Sequence, residues 1–138
     1  MDNLKTKLEL FKKEAEQIPN RSNEQNKILY AFTHMNAKTR FKVTDCEGKQ
    51  LDILVDSTTE VRKILLKHYK TDNGTVTAKE ILSMLNIIRT GSKHYNKGNY
   101  AYIKRSFINN RVYYTVIKLF ADNSNAVLKS FHSNIGYK

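Results

Sequence analysis

Apolar residues open the chain at a helical spacing. Leu4, Leu8, Phe11 and Ala15 recur at intervals of four and three among mostly charged neighbours, which predicts a helix over 3–17, stopped by Pro19. Ser22 is placed to cap a second helix running to His34, with Ile28, Leu29, Ala31 and Phe32 on its apolar side. The period then falls from 3.6 to 2. Residues 39–44 and 50–55 alternate around a turn at 46–49, which predicts a hairpin. A third helix opens at Ser57 or Thr58, buries Val61, Ile64, Leu65 and Tyr69, and ends at Asp72-Asn73-Gly74. Thr77-Ala78-Lys79-Glu80 has the form of a capping box, so the next helix runs from Ala78 to Arg89 and stops at Gly91. A polar loop, 92–98, leads into three alternating runs at 99–108, 111–121 and 126–133.

This order predicts an α+β fold: N-terminal helices and a hairpin, then a helix packed on a C-terminal twisted antiparallel sheet. The chain divides into a helical and hairpin part, 1–76, and a basic part, 77–138, expected to form one compact unit. No internal repeat or linker interrupts it.

The turns fix a register. A two-residue turn at Asn109-Asn110 sets Lys104 opposite Thr115, and a four-residue turn at 122–125 sets Thr115 opposite His132. One face then carries Ile103, Phe107, Val112, Val116, Phe120, Val127 and Phe131 and is expected to cover the helices. Arg105, Tyr114, Lys118 and Lys129 fall on the same face, in conflict with it unless they snorkel. The other face carries Tyr100, Tyr102, Lys104, Ser106, Tyr113, Thr115, Ser130 and His132, with Ile117, Leu119 and Leu128 toward one end, and sets Lys104, Thr115 and His132 in one row.

Charge sharpens this picture. The net charge is +11, spread unevenly: 16 basic and 12 acidic side chains in 1–90 (+4), against 8 and 1 in 91–138 (+7). A polyanion, an anionic membrane surface or an acidic protein is the expected partner of such a surface. No apolar run approaches the length of a membrane span. Lys5, Lys7, Lys12 and Lys13 break up the N-terminus as a signal segment, and the lone Cys46 allows no internal disulfide, so a cytosol-like setting is expected. Cys46 lies at a turn edge without a His/Asn signature and reads as a bystander.

Neither a metal-ligand spacing nor a nucleotide-binding glycine loop is present, so no metal or other cofactor is expected. The side chains left for chemistry are His, Lys, Arg, Ser, Thr and Tyr. That set suits metal-independent RNA cleavage, which needs a base for the 2′-hydroxyl, an acid for the 5′-oxygen and cations on the phosphorane. His132, Lys104, Thr115 and Ser130 are the candidates on the sheet, and His94 is a second acid–base candidate in the loop. Arg105, Tyr102, Tyr100, Arg111, Lys93, Lys97 and Lys129 are candidate RNA-binding residues, through phosphate contacts or base stacking. His68 reads as a solvated histidine near a helix end, and His34 shows no partner.

The helix 81–89, the basic loop, and the strands carrying Tyr100-Ala101-Tyr102-Ile103-Lys104-Arg105, Tyr113-Tyr114-Thr115-Val116-Ile117-Lys118 and Val127-Leu128-Lys129-Ser130-Phe131-His132 together resemble the barnase/EndoU/colicin/RelE-like ribonuclease toxins. The resemblance covers about residues 77–138. It implies a helical part packed on a twisted antiparallel sheet of about four strands, with RNA, often tRNA, cut on the open sheet face. It also implies an acidic immunity protein or antitoxin as partner, action in the cytoplasm, and delivery by a larger system. The positions it points to are Lys104 or Arg105, Thr115, and Ser130 or His132, with His94 in the loop. Residues before 77 have no place in that pattern. Two other readings stay open: a nucleic-acid-binding protein of a phage or mobile element that does no chemistry, and a basic inhibitor or adaptor docking on an acidic protein.

Overall fold

The computed structural model describes residues 3–34, 37–71, 74–106, 110–120 and 125–135. The early apolar spacing yields α1 (Asn3–Glu16) and α2 (Asn23–Thr33). Ser22 caps α2 in a full capping box, its hydroxyl accepting from the Gln25 amide while the Gln25 side chain accepts from Ser22 N–H. The hairpin is β1 (Lys38–Thr44) and β2 (Gln50–Asp56), followed by α3 (Glu60–Lys67). Thr77 closes a second capping box with Glu80. The helix it starts is two helices, α4 (Ala78–Leu82) and α5 (Met84–Thr90), divided at Ser83.

The segment read as a polar loop is a strand. β3 (Ser92–Asn96) pairs with β4 (Asn99–Arg105) around Lys97 and Gly98, which both adopt positive φ, 52° and 85°. That is the geometry of a tight primed hairpin turn. β5 (Arg111–Leu119) and β6 (Asn125–Ile135) complete the set. The architecture is α+β, with helices at the N-terminus and a sheet that includes the whole C-terminal part.

Among the described residues the sheet has six strands in the order β1-β2-β6-β5-β4-β3. All neighbours are antiparallel except β2 and β6, which run parallel. The hairpin of the N-terminal part is therefore hydrogen-bonded directly to the last strand of the chain. Beyond the end of β2, the free edge of β6 is taken up by the segment after α3, where Ser133 N–H donates to Gly74 C=O and Ser133 hydroxyl to Thr75 C=O.

One sheet face is buried under the helices, with α5 against β1, β4 and β5, and α3 against β2 and β6. Its residues are Phe41, Val43, Leu51, Ile53, Val55, Tyr102, Tyr113, Thr115, Ile117, Ala126, Leu128 and Phe131. This reverses the expected faces of β4 and β5. Ile103, Val112 and Val116, expected in the core, are only half-buried on the open side, and Phe120 is exposed. Phe107 lies outside the described residues, as do Asn109 of the first expected turn and 122–124 of the second.

Hydroxyl chemistry explains the inversion. Tyr102 donates to Asp45 Oδ2 at 2.8 Å, Tyr113 donates to the Glu80 carboxylate, and Thr115 Oγ1 donates to Met84 C=O at 2.9 Å. A buried Tyr or Thr whose hydroxyl has an acceptor contributes its apolar body to the core. The registers differ too: Lys104 faces Tyr113, Thr115 faces Tyr102 and Phe131, and His132 faces Tyr114. The register between β5 and β6 shifts between Val116 and Ile117, where a bulge sets Val116 opposite Ser130 but Ile117 opposite Leu128.

Candidate functional site

The expected row of Lys104, Thr115 and His132 does not form. Thr115 is fully buried under α5. Lys104 leans to the helix side of the sheet, where its ammonium donates to Thr90 Oγ1 at 2.8 Å. His132 lies on the open face, because the bulge shifts the alternation of β6 by one residue.

The same bulge builds a different site. Lys129 is the extra residue, and its ammonium reaches α3 to pair with Glu60 Oε2 at 3.1 Å. Glu60 is nearly buried and also faces Lys63, at 3.9 Å. Ser130 and His132 then share the open face, with Ser130 Oγ 2.9 Å from His132 Nδ1. Between α3 and β6 lies a groove of about 210 Å³, lined by Glu60, Lys63, Ile64, Lys67, His68, Lys129 and Ser130.

His68 caps the C-terminal end of α3 beside this groove, and its ring centroid is 5.2 Å from that of His132. On its other side His132 stacks on Tyr114, at 5.0 Å and 11° between planes. The three rings form a ladder drawn from α3, β6 and β5. Gly74 backs it closely: a Cβ there would come within 2.7 Å of His68 Nδ1 and 3.3 Å of His132 Cβ, and the residue's φ is +62°. Burial drives the His132 imidazole below the ordinary histidine value, and the positive charge His68 can carry pushes it further down. His132 is therefore neutral at physiological pH, as a proton acceptor must be.

The other candidates are dispersed. His94 is exposed on β3, in the open-face row His94, Ala101, Val116, Ser130. It stands three strands from β6, roughly 14 Å away, too far to share a phosphate with His132. Arg105 is on the open face of β4, opposite Val112, and Lys97 is exposed in the β3–β4 turn. Arg111 Nε donates to Ser133 Oγ at 2.8 Å. Tyr100 lies half-buried beneath the Lys93 ammonium, 4.6 Å from the ring centroid.

Two expected RNA-binding residues are structural. Tyr102 is fully buried, and the Lys93 side chain is 10% exposed with its ammonium 2.9 Å from Asp45 Oδ2. Burial raises the Asp45 carboxyl, but the Lys93 ammonium, the Lys49 and Glu47 amides and the Tyr102 hydroxyl together outweigh it and hold Asp45 below the usual range. Cys46, beside Asp45, is kept as a thiol by burial and by the two neighbouring carboxylates, which fits a bystander.

Sequence reasoning missed His68, Lys63, Lys67, Glu60 and the role of Tyr114. The spacing of Lys63 and Lys67, one helical turn apart and next to His68, is a signal of a basic helix ridge. Nothing local, however, shows that the ridge meets β6. Among the described residues, no cluster of three or more His, Cys, Asp or Glu side chains is arranged to hold a metal, and no helix is long and apolar enough to cross a membrane.

No family model, no curated protein and no solved structure matches this chain.

Proposed function

We propose that this protein is a metal-independent endoribonuclease whose reaction centre is the His68–His132 pair. The observation that carries the reading is the approach of two imidazoles from distant parts of the chain, 5.2 Å apart, at the edge of a groove holding Lys63, Lys67 and Lys129. In this reading the RNA phosphate rests on the lysines, Lys129 foremost. His132 donates Nδ1–H to Ser130 Oγ, which leaves the Nε2 lone pair to accept the 2′-hydroxyl proton. The 2′-oxygen attacks phosphorus, the bond to the 5′-oxygen breaks, and His68 as imidazolium protonates that leaving oxygen. The products are a 2′,3′-cyclic phosphate and a 5′-hydroxyl. The lysines offset charge on the phosphorane, and Tyr114 holds the plane of the His132 ring.

The resemblance to ribonuclease toxins supports the same chemistry. It adds the expectation that the enzyme arrests growth inside cells and that an acidic partner protein neutralises it. The test is cleavage of RNA in EDTA, with an all-deoxy strand of the same sequence as control. RNA cut to cyclic-phosphate ends with the deoxy strand intact supports the reading; cleavage of both strands, or of neither, ends it.

A second reading has its own observation. The open face sets half-buried Leu54, Val127, Val116, Ile103 and Tyr114 among the cations Arg40, Lys42, Lys118 and Arg105. Such a face can hold nucleic acid without cutting it. Binding without cleavage, unchanged by His68 or His132 substitutions, would favour it.

A further inference from the structure

The groove beside the histidine pair is small, and its exposed cations stand in a line. Lys63 and Lys67 project from consecutive turns of α3, about 6 Å apart. Lys129 faces them from β6, tethered through Glu60, and the buried Ile64 closes the floor between. With a volume of about 210 Å³, the groove matches a sugar and phosphate rather than a helix.

We infer that the substrate is single-stranded RNA, laid along α3 with the cleaved phosphate at Lys129 and the next phosphates on one side running past Lys67 and Lys63. The inference rests on the reading of His68 and His132 as the cleavage pair. A duplex carries its phosphates on a rigid cylinder much wider than this groove. Its A-form backbone also keeps each 2′-oxygen out of line with the 5′-oxygen it must displace, whereas in-line attack needs the two nucleotides splayed apart. In a single strand that rearrangement is nearly free; in a duplex it costs unpairing and unstacking. Side chains that ride a backbone and read no base edge also make the site tolerant of sequence.

The experiment uses the full chain and one labelled RNA sequence in three forms: a free strand, the same strand annealed to its complement, and a hairpin carrying it in the loop. The free strand and the loop are cut at comparable rates, and the duplex about 100-fold more slowly. Duplex cleavage within about threefold of the free strand overturns the inference and leaves the cleavage chemistry standing. Failure to cut any form overturns the underlying reading, and the inference with it.

A binding arm locates the strand. Each phosphate contact on a single strand adds about 0.7 to the slope of log K against log salt. The double variant Lys63→Ser, Lys67→Ser lowers that slope by about 1.4. An unchanged slope in the double variant places the strand elsewhere and overturns the inference.

Discussion

Tyr102 donates its hydroxyl to Asp45 Oδ2 at 2.8 Å, joining β4 to the β1–β2 turn in the interior. The same carboxylate accepts from Lys93 at 2.9 Å and from the amides of Glu47 and Lys49, so one buried acid ties β3, β4 and the N-terminal hairpin together. Tyr102→Phe removes one of these donors and costs about 1–3 kcal/mol. Lys93→Met leaves the carboxylate buried without its counter-charge and costs about 3 kcal/mol or more. Urea denaturation checks both. A Tyr102→Phe variant with unchanged stability but weakened RNA binding would return this residue to the surface role its sequence suggested.

The inverted sheet shows where sequence reasoning reached and where it stopped. Most element positions were legible because periodicity and caps are local: Ser22 and Thr77 start helices as their spacing to Gln25 and Glu80 implies, while the polar strand β3 and the break at Ser83 were not. The face of each strand was not. Tyr102, Tyr113 and Thr115 look polar in an alternating pattern, and only the fold reveals that Asp45, Glu80 and Met84 wait for their hydroxyls. His132 was legible as a candidate by residue type. Its partner was not, because His68 reaches it only through the parallel pairing of β2 with β6 and the docking of α3, contacts between residues more than 60 positions apart.

Gly74 is expected to be indispensable to the histidine pair. At φ +62° an alanine carries roughly 1–2 kcal/mol of backbone strain, and its Cβ would fall 2.7 Å from His68 Nδ1. Gly74→Ala therefore lowers stability by about that amount and turns the His68 ring away from His132. Imidazole NMR signals report the displacement; both rings unmoved in a destabilised variant would contradict the packing described.

Acid should weaken the fold through His132. Its folded-state affinity for protons is lowered by burial and by His68, so the unfolded chain takes up the proton first. Stability then falls as pH drops from above the ordinary value of 6.5 through the lower folded value, and the loss is complete below that. In His132→Asn this loss is absent. Urea midpoints at pH 7.5 and 5.5 should fall further on acidification in the wild type than in the variant, and an equal or reversed difference would contradict the assignment.

Thr115 separates the site described here from the row its sequence suggested. Its hydroxyl serves Met84 C=O beneath α5, so Thr115→Val costs about 1 kcal/mol or more of stability and leaves chemistry at the histidine pair unchanged. Thermal unfolding and RNA cleavage measured on the same preparation check the two halves of this statement, and a Thr115→Val variant of full stability that had lost cleavage would restore the original row.

The most direct measurement is the rate of RNA cleavage in EDTA by the wild type, His132→Ala and His68→Ala, with folding confirmed by circular dichroism. Each histidine variant should lose about two orders of magnitude or more, the usual worth of a positioned acid or base, while RNA affinity changes little. The double variant should be no worse than about the poorer single one, since the two rings act as a unit. Full activity in His132→Ala or His68→Ala would show that the ring pair is not the reaction centre.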